Sequence, residues 1–225
     1  MNYLLCTTKY FYMNEQQHTL EELQHIKRMM ERSSRFISLS GLSGIAAGIC
    51  ALGGAWFASN KINCWVNGDC QLSRLIGTAG TALINDLLWI ATLTFIAAFI
   101  SAFFFTYLRS KKNGVPMIGK ATARLFWNTL IPLIAGAVFL FRMMQLKEYE
   151  LVAPGCLIFY GLALINASKY TLGEVRYLGY GIVLLGMLNL WLLGYGLQFW
   201  AMGFGILHIV YGAVMWNKYE RKNVQ

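Results

Sequence analysis

Residues able to do chemistry are few in this chain, and they are scattered. His208 lies in GFGILHIVYG, where nothing else titrates near neutral pH. An imidazole in such a run is either one end of a buried hydrogen bond or, with its near-neutral pKa, a step in a proton relay. Asp86, beside Asn85, is the acid inside an apolar run. A carboxylate in lipid is a functional candidate by default, whereas at headgroup level it is merely solvated. Arg74 and Arg142 are the cations placed to pair with it. Asn128, Asn166 and Asn189 add three amides to the apolar runs. They could bond to His208 or line a small polar cavity, so Asp86, Asn128, Asn166, Asn189 and His208 form the candidate in-membrane polar site. A relay needs titratable groups in series, and only Asp86 is on offer, so a structural bond is the favoured reading of His208.

Cys64 and Cys70 are spaced C-x5-C in NKINCWVNGDCQ. They read as a disulfide closing a short loop in an oxidising compartment. The alternative, a redox pair exchanging with a partner thiol, needs a low-pKa thiolate, and Asp69 opposes one. Cys50 and Cys156 fall in apolar runs, where cysteine acts as a small hydrophobe. There is no P-loop, no G-x-S-x-G, no H-E-x-x-H and no carboxylate pair at catalytic spacing within the apolar runs. No cluster has metal-ligand spacing, and His18 and His25 read as solvated. The reading is therefore non-enzymatic, with no cofactor and no metal.

The elements that must position these residues follow from composition. The chain of 225 residues is 57% hydrophobic and 13% charged, with a net charge of +9. Its apolar residues cluster in stretches long enough to cross the roughly 30 Å hydrocarbon core. Lipid offers the backbone no hydrogen bonds, and the stretches do not alternate as barrel strands do, so they must be helices. Spans are expected at about 36–58, 84–108, 125–141, 151–168, 177–194 and 199–216. Pro132 marks a kink. Gly173 is the turn residue of KYTLGEVR, and GYGLQ at 194–198 divides the last apolar stretch in two. Gly41, Gly44, Gly48, Ala51 and Ala55 give the first span a flat face for close helix approach.

Residues 1–16 read as a disordered tail; MNEQQHTLEEL from Met13 looks the more ordinary start. Residues 17–34 read as a cytoplasmic amphipathic helix. Thr19 and Glu22 have capping-box spacing, and Leu20, Leu23, Ile26 and Met30 share one face. That face would lie on the membrane, pack on the bundle or bind a partner. Of the nineteen Lys and Arg residues, only Lys61, Arg74, Arg142 and Lys147 fall on the side opposite the N-terminus. This asymmetry orients both termini, including the tail 217–225, to the cytoplasm, which an even number of spans requires. Here the basic residues set topology rather than bind nucleic acid.

FYGLALINASKY (159–170) and VYGAVMWNKY (210–219) echo each other, which would be a parallel repeat of the kind common in transporters. The segments MMERSSRFISLSGLSGIAAGICALGGAWFA and GFGILHIVYGAVMWNKYE resemble small multi-pass integral membrane proteins of bacteria. That resemblance implies an inner-membrane location and no established activity. The glycine-spaced late helices also resemble, in composition alone, the small six-helix acid-resistance membrane proteins.

The expected architecture is an all-α membrane protein, a bundle of six transmembrane helices preceded by the cytoplasmic amphipathic helix. The expected partners are the bilayer and a cytoplasmic or membrane protein held by residues 17–34, with a homo-oligomer left open. The leading function is regulatory or scaffolding contact. The alternative is a small-solute, proton or ion transporter or channel using the in-membrane polar residues.

Overall fold

A computed structural model describes residues 40–67, 79–113 and 119–219. The tail, the amphipathic helix with Leu20, Leu23, Ile26 and Met30, the residues Cys70 and Arg74, and residues 220–225 lie outside the described residues. Six helices follow in order: α1 Gly41–Asn67, α2 Ala79–Asn113, α3 Lys120–Gln145, α4 Val152–Ala167, α5 Val175–Trp191 and α6 Gly196–Tyr219. A 3-10 turn, Tyr149–Leu151, leads into α4. No strand occurs among the described residues.

Five helices are long and apolar enough to cross a membrane: α1, α2, α3, α4 with its leading turn, and α6. The remaining one, α5, is apolar but has 17 residues, about 25 Å at 1.5 Å per residue. Most helices overrun the apolar stretches that announce them. The segment KINCWVN reads as loop, yet it is the last two turns of α1. Nothing in those residues stops a helix, and continuing it keeps their backbone groups bonded. Likewise α2 starts at Ala79, inside a semi-polar stretch.

The bundle is built on close glycine crossings. Helix α1 packs on α2 and α6, α4 packs on α3 and α5, and α6 touches both α4 and α5. Where α1 meets α6, a Cβ on Gly212 would stand 2.5 Å from the Gly41 carbonyl oxygen and 2.6 Å from the Ile45 nitrogen. Where α4 meets α5, Gly161 and Gly179 face each other, and a Cβ on either would come within 2.9 Å of the other's carbonyl oxygen. Only glycine allows backbones this close. Gly161 and Gly212 hold equivalent places in the two echoing segments. The core lies beside these crossings: Leu157, Leu178 and Ile182 are buried, with Tyr160, Phe204, Leu207 and Tyr211 packed against them. By contrast, Ser110 is the only buried side chain among those described in α2. Phe95, Phe99 and Phe103 stack along its exposed side with ring centroids 6.3 and 6.5 Å apart.

Two chain reversals depart from right-handed backbone. Gly194, φ 93°, turns α5 into α6 in a conformation that glycine adopts without strain. At the end of α3, Lys147 has φ 64°. Its N–H bonds to Met144 and that of Glu148 to Met143. This is a Schellman ending, with lysine in the position glycine usually fills.

Candidate functional site

Each polar residue expected in the membrane has a local reason for its place, and the residues do not share one cavity. Pro132 lies inside α3 and has no N–H. The carbonyl four residues back, on Asn128, therefore lacks its helical donor. The Asn166 side-chain amide of α4 donates to that oxygen at 2.6 Å. The Asn128 side chain bonds back to the Arg124 carbonyl at 2.8 Å. Asn128 and Asn166 are thus brought together, around a gap that Pro132 makes. That gap was legible in the sequence, because a proline inside an apolar helix names the carbonyl it orphans.

Asn189 is fully buried near the end of α5. Its amide donates to the Leu192 carbonyl at 3.0 Å, where the helix ends and carbonyls lose their partners. Its Oδ1 is buried without a hydrogen bond.

His208 lies in α6 just past a π-helical segment, Ala201–Ile206. Its Nδ1 is 2.9 Å from the Gly203 carbonyl oxygen and its Nε2 is 2.9 Å from the Tyr160 hydroxyl. A carbonyl can only accept, so the neutral ring carries its proton on Nδ1, and Nε2 accepts from Tyr160. The asparagines on offer in the sequence are not its partners. Tyr160, part of the echoing segment 159–170, is. Phe204 stacks on the imidazole one turn earlier, with centroids 6.1 Å apart and planes 15° from parallel.

Asp86 stands apart from these. Its partner among the described residues is not Arg142 but Lys61 of α1, at 3.0 Å, in a pair whose side chains are 41% and 46% exposed. The pair exists because α1 runs past its apolar stretch and carries Lys61 alongside α2. Arg142 bonds to Gln145 on its own helix. Cys64 falls in the last turns of α1 and is not a free thiol, while Cys70 is outside the described residues. Cys50 lies 3.9 Å from the Ser101 hydroxyl, between α1 and α2. Among the described residues no group of three His, Cys, Asp or Glu side chains could hold a metal ion.

One charged cluster was not foreseen. Glu174, between α4 and α5, accepts hydrogen bonds from Lys218 at 2.5 Å and from the Tyr219 hydroxyl at 2.7 Å. Partial burial pushes its carboxyl pKa up, but the bonds from Lys218 and Tyr219 outweigh this and hold it below the ordinary value. The cluster ties the end of α6 to the α4–α5 turn. Nothing in the local sequence announces it, since Glu174 and Lys218 are 44 residues apart.

Comparison with protein-family models, curated proteins and solved structures finds no match.

Proposed function

We propose that this is a six-span protein of the bacterial cytoplasmic membrane, non-enzymatic, with both termini cytoplasmic, that works by holding other proteins. One observation carries the reading: three polar side chains within the helices donate to backbone carbonyls of their own fold. Asn166 serves the carbonyl that Pro132 orphans, Asn189 serves the end of α5, and His208 bonds to Gly203 in the π segment. Side chains so occupied are poorly placed to bind and release a solute. In this reading α5 is the sixth span. It runs antiparallel to α4, since Gly179 meets Gly161 while Gly186 meets Leu157 and Ile158. The amphipathic helix at residues 17–34 holds the partner, with Leu20, Leu23, Ile26 and Met30 as its apolar face. Cys64 and Cys70 form a disulfide on the outer side, where an oxidising periplasm would keep it.

The test is affinity purification from native membranes in mild detergent. It compares the intact chain with one lacking residues 14–34 and with a Leu23→Ser/Ile26→Ser double variant. A stoichiometric partner lost from both variants supports the reading. No partner with the intact chain, or one retained by both variants, refutes it.

A second reading, a proton or small-solute transporter, is favoured by one feature, the hydrogen-bonded pair of Tyr160 and His208. It requires that Asp86→Asn or His208→Ala abolish flux in liposomes while the variants still fold.

A further inference from the structure

The seam between α4 and α6 holds a hydroxyl that no group among the described residues satisfies. Tyr160 gives its only hydroxyl proton to His208 Nε2, which leaves its oxygen free to accept. One turn along α6 from His208, the Tyr211 hydroxyl is buried with no hydrogen-bond partner. A buried hydroxyl in a folded protein is ordinarily bonded, and ordered water fills the role where no side chain reaches. The surroundings here are suitable. Tyr160 and Tyr211 pack against the same core cluster of Leu157, Leu178 and Ile182. Tyr211 lies two turns before Lys218 on the same face of α6, and Lys218 and Tyr219 both bond to Glu174. Glu174 in turn accepts from Lys218 and Tyr219 and keeps about a quarter of its side chain exposed.

We propose that ordered water bridges the Tyr211 hydroxyl to Tyr160 and to Glu174. A file of hydrogen bonds then runs from the aqueous face at Glu174 to the imidazole of His208. The file is one-sided. Beyond His208 the Gly203 carbonyl closes Nδ1, and Leu157 occupies the space that a side chain at Gly203 would need. The ligand is water, and its use is to give a buried imidazole exchange with one compartment only. The inference does not depend on whether the protein carries anything across the membrane.

The test is water-edited solid-state NMR on the full chain in lipid bilayers, labelled with 15N-histidine. His18→Gln and His25→Gln leave His208 as the only histidine. In this background, water polarisation should reach the His208 ring much faster than it reaches apolar side chains at the same depth. Tyr211→Phe, which keeps the ring and removes the hydroxyl, should slow the transfer severalfold and leave the Nε2 shift set by Tyr160 in place. A ring that fills no faster than its apolar neighbours overturns the proposal. So does fast transfer that Tyr211→Phe leaves unchanged. Should that variant not fold, the transfer rate in the background protein decides alone. Proteoliposomes should meanwhile show no proton flux that Tyr211→Phe abolishes; such a flux would overturn the one-sided file.

Discussion

The pairing of Asn166 with the Asn128 carbonyl predicts a thermodynamic coupling between two residues that do not share a helix. Pro132 removes the N–H that would have bonded to that carbonyl, and Asn166 supplies a substitute at 2.6 Å. Removing the amide by Asn166→Ala leaves an acceptor unsatisfied where water is scarce. Interhelical hydrogen bonds in membranes are worth about 0.6–2 kcal/mol, so Asn166→Ala should destabilise the protein by about 1–2 kcal/mol. Pro132→Ala restores a backbone N–H for the Asn128 carbonyl and makes the amide redundant. In that background Asn166→Ala should cost only about 0.5 kcal/mol, the residual packing loss of a half-buried side chain. The coupling free energy is then about 1 kcal/mol, above the few tenths expected of independent sites. The assay is reversible unfolding in mixed micelles by SDS titration, run on all four members of the cycle. Equal costs for Asn166→Ala in the two backgrounds would refute the reasoning, because the amide would then be doing something other than replacing the missing N–H.

Four further outcomes follow from single features. The Glu174 carboxyl is held below its ordinary value of 4.5, so its stabilisation is present above that pH and is lost as pH falls through the folded value. Thermal unfolding in detergent should show the intact protein losing stability below about pH 4.5 and Glu174→Gln losing less. Gly212→Ala should destabilise by about 1–3 kcal/mol through overpacking against α1, whereas Gly53→Ala, with open space around its Cβ, should be near neutral by the same assay. Lys147→Gly should stabilise by up to about 1 kcal/mol, since it relieves a left-handed lysine at the end of α3. Lys61→Ala should cost less than about 1 kcal/mol, because the pair with Asp86 is exposed, and the effect should shrink as salt is added.

The helices themselves were legible because long apolar stretches must bond their backbone internally, and such stretches announce α1 through α6. Their ends were not. Lys61–Asn67 is polar enough to read as loop, yet nothing in it forbids a helix, and the helix continues. That single extension brings Lys61 alongside α2 and gives Asp86 a partner that reading residues 61–67 as loop does not place there. The partner of His208 was not legible either. Tyr160 lies 48 residues away, and only the crossing of α4 and α6 brings it near. The Asn128–Asn166 link could have been half derived, because Pro132 identifies the needy carbonyl but not the helix that answers it. The reciprocal glycines at Gly41 and Gly212 were visible as small residues, although their pairing is a property of packing.

Three of the bonded polar side chains in the helices share a physical logic. Asn166, Asn189 and the Nδ1 of His208 each donate to a backbone carbonyl at an irregularity: the gap left by Pro132, the end of α5 at Leu192 and the π segment that holds Gly203. An irregular turn in lipid is tolerable only if its freed carbonyls are met. These residues therefore belong with the breaks they repair, and the choice of neutral amide or imidazole over charge follows, since a charge would add a desolvation penalty that the repair does not require. The irregularities then become the features to explain. They adjoin surfaces where α6 turns against α4 and where α3 leans on α4. Fixed bonds at such breaks favour one arrangement of helices, and that is the ground on which the proposed contact function is preferred to the proposed alternative of transport, which needs two states.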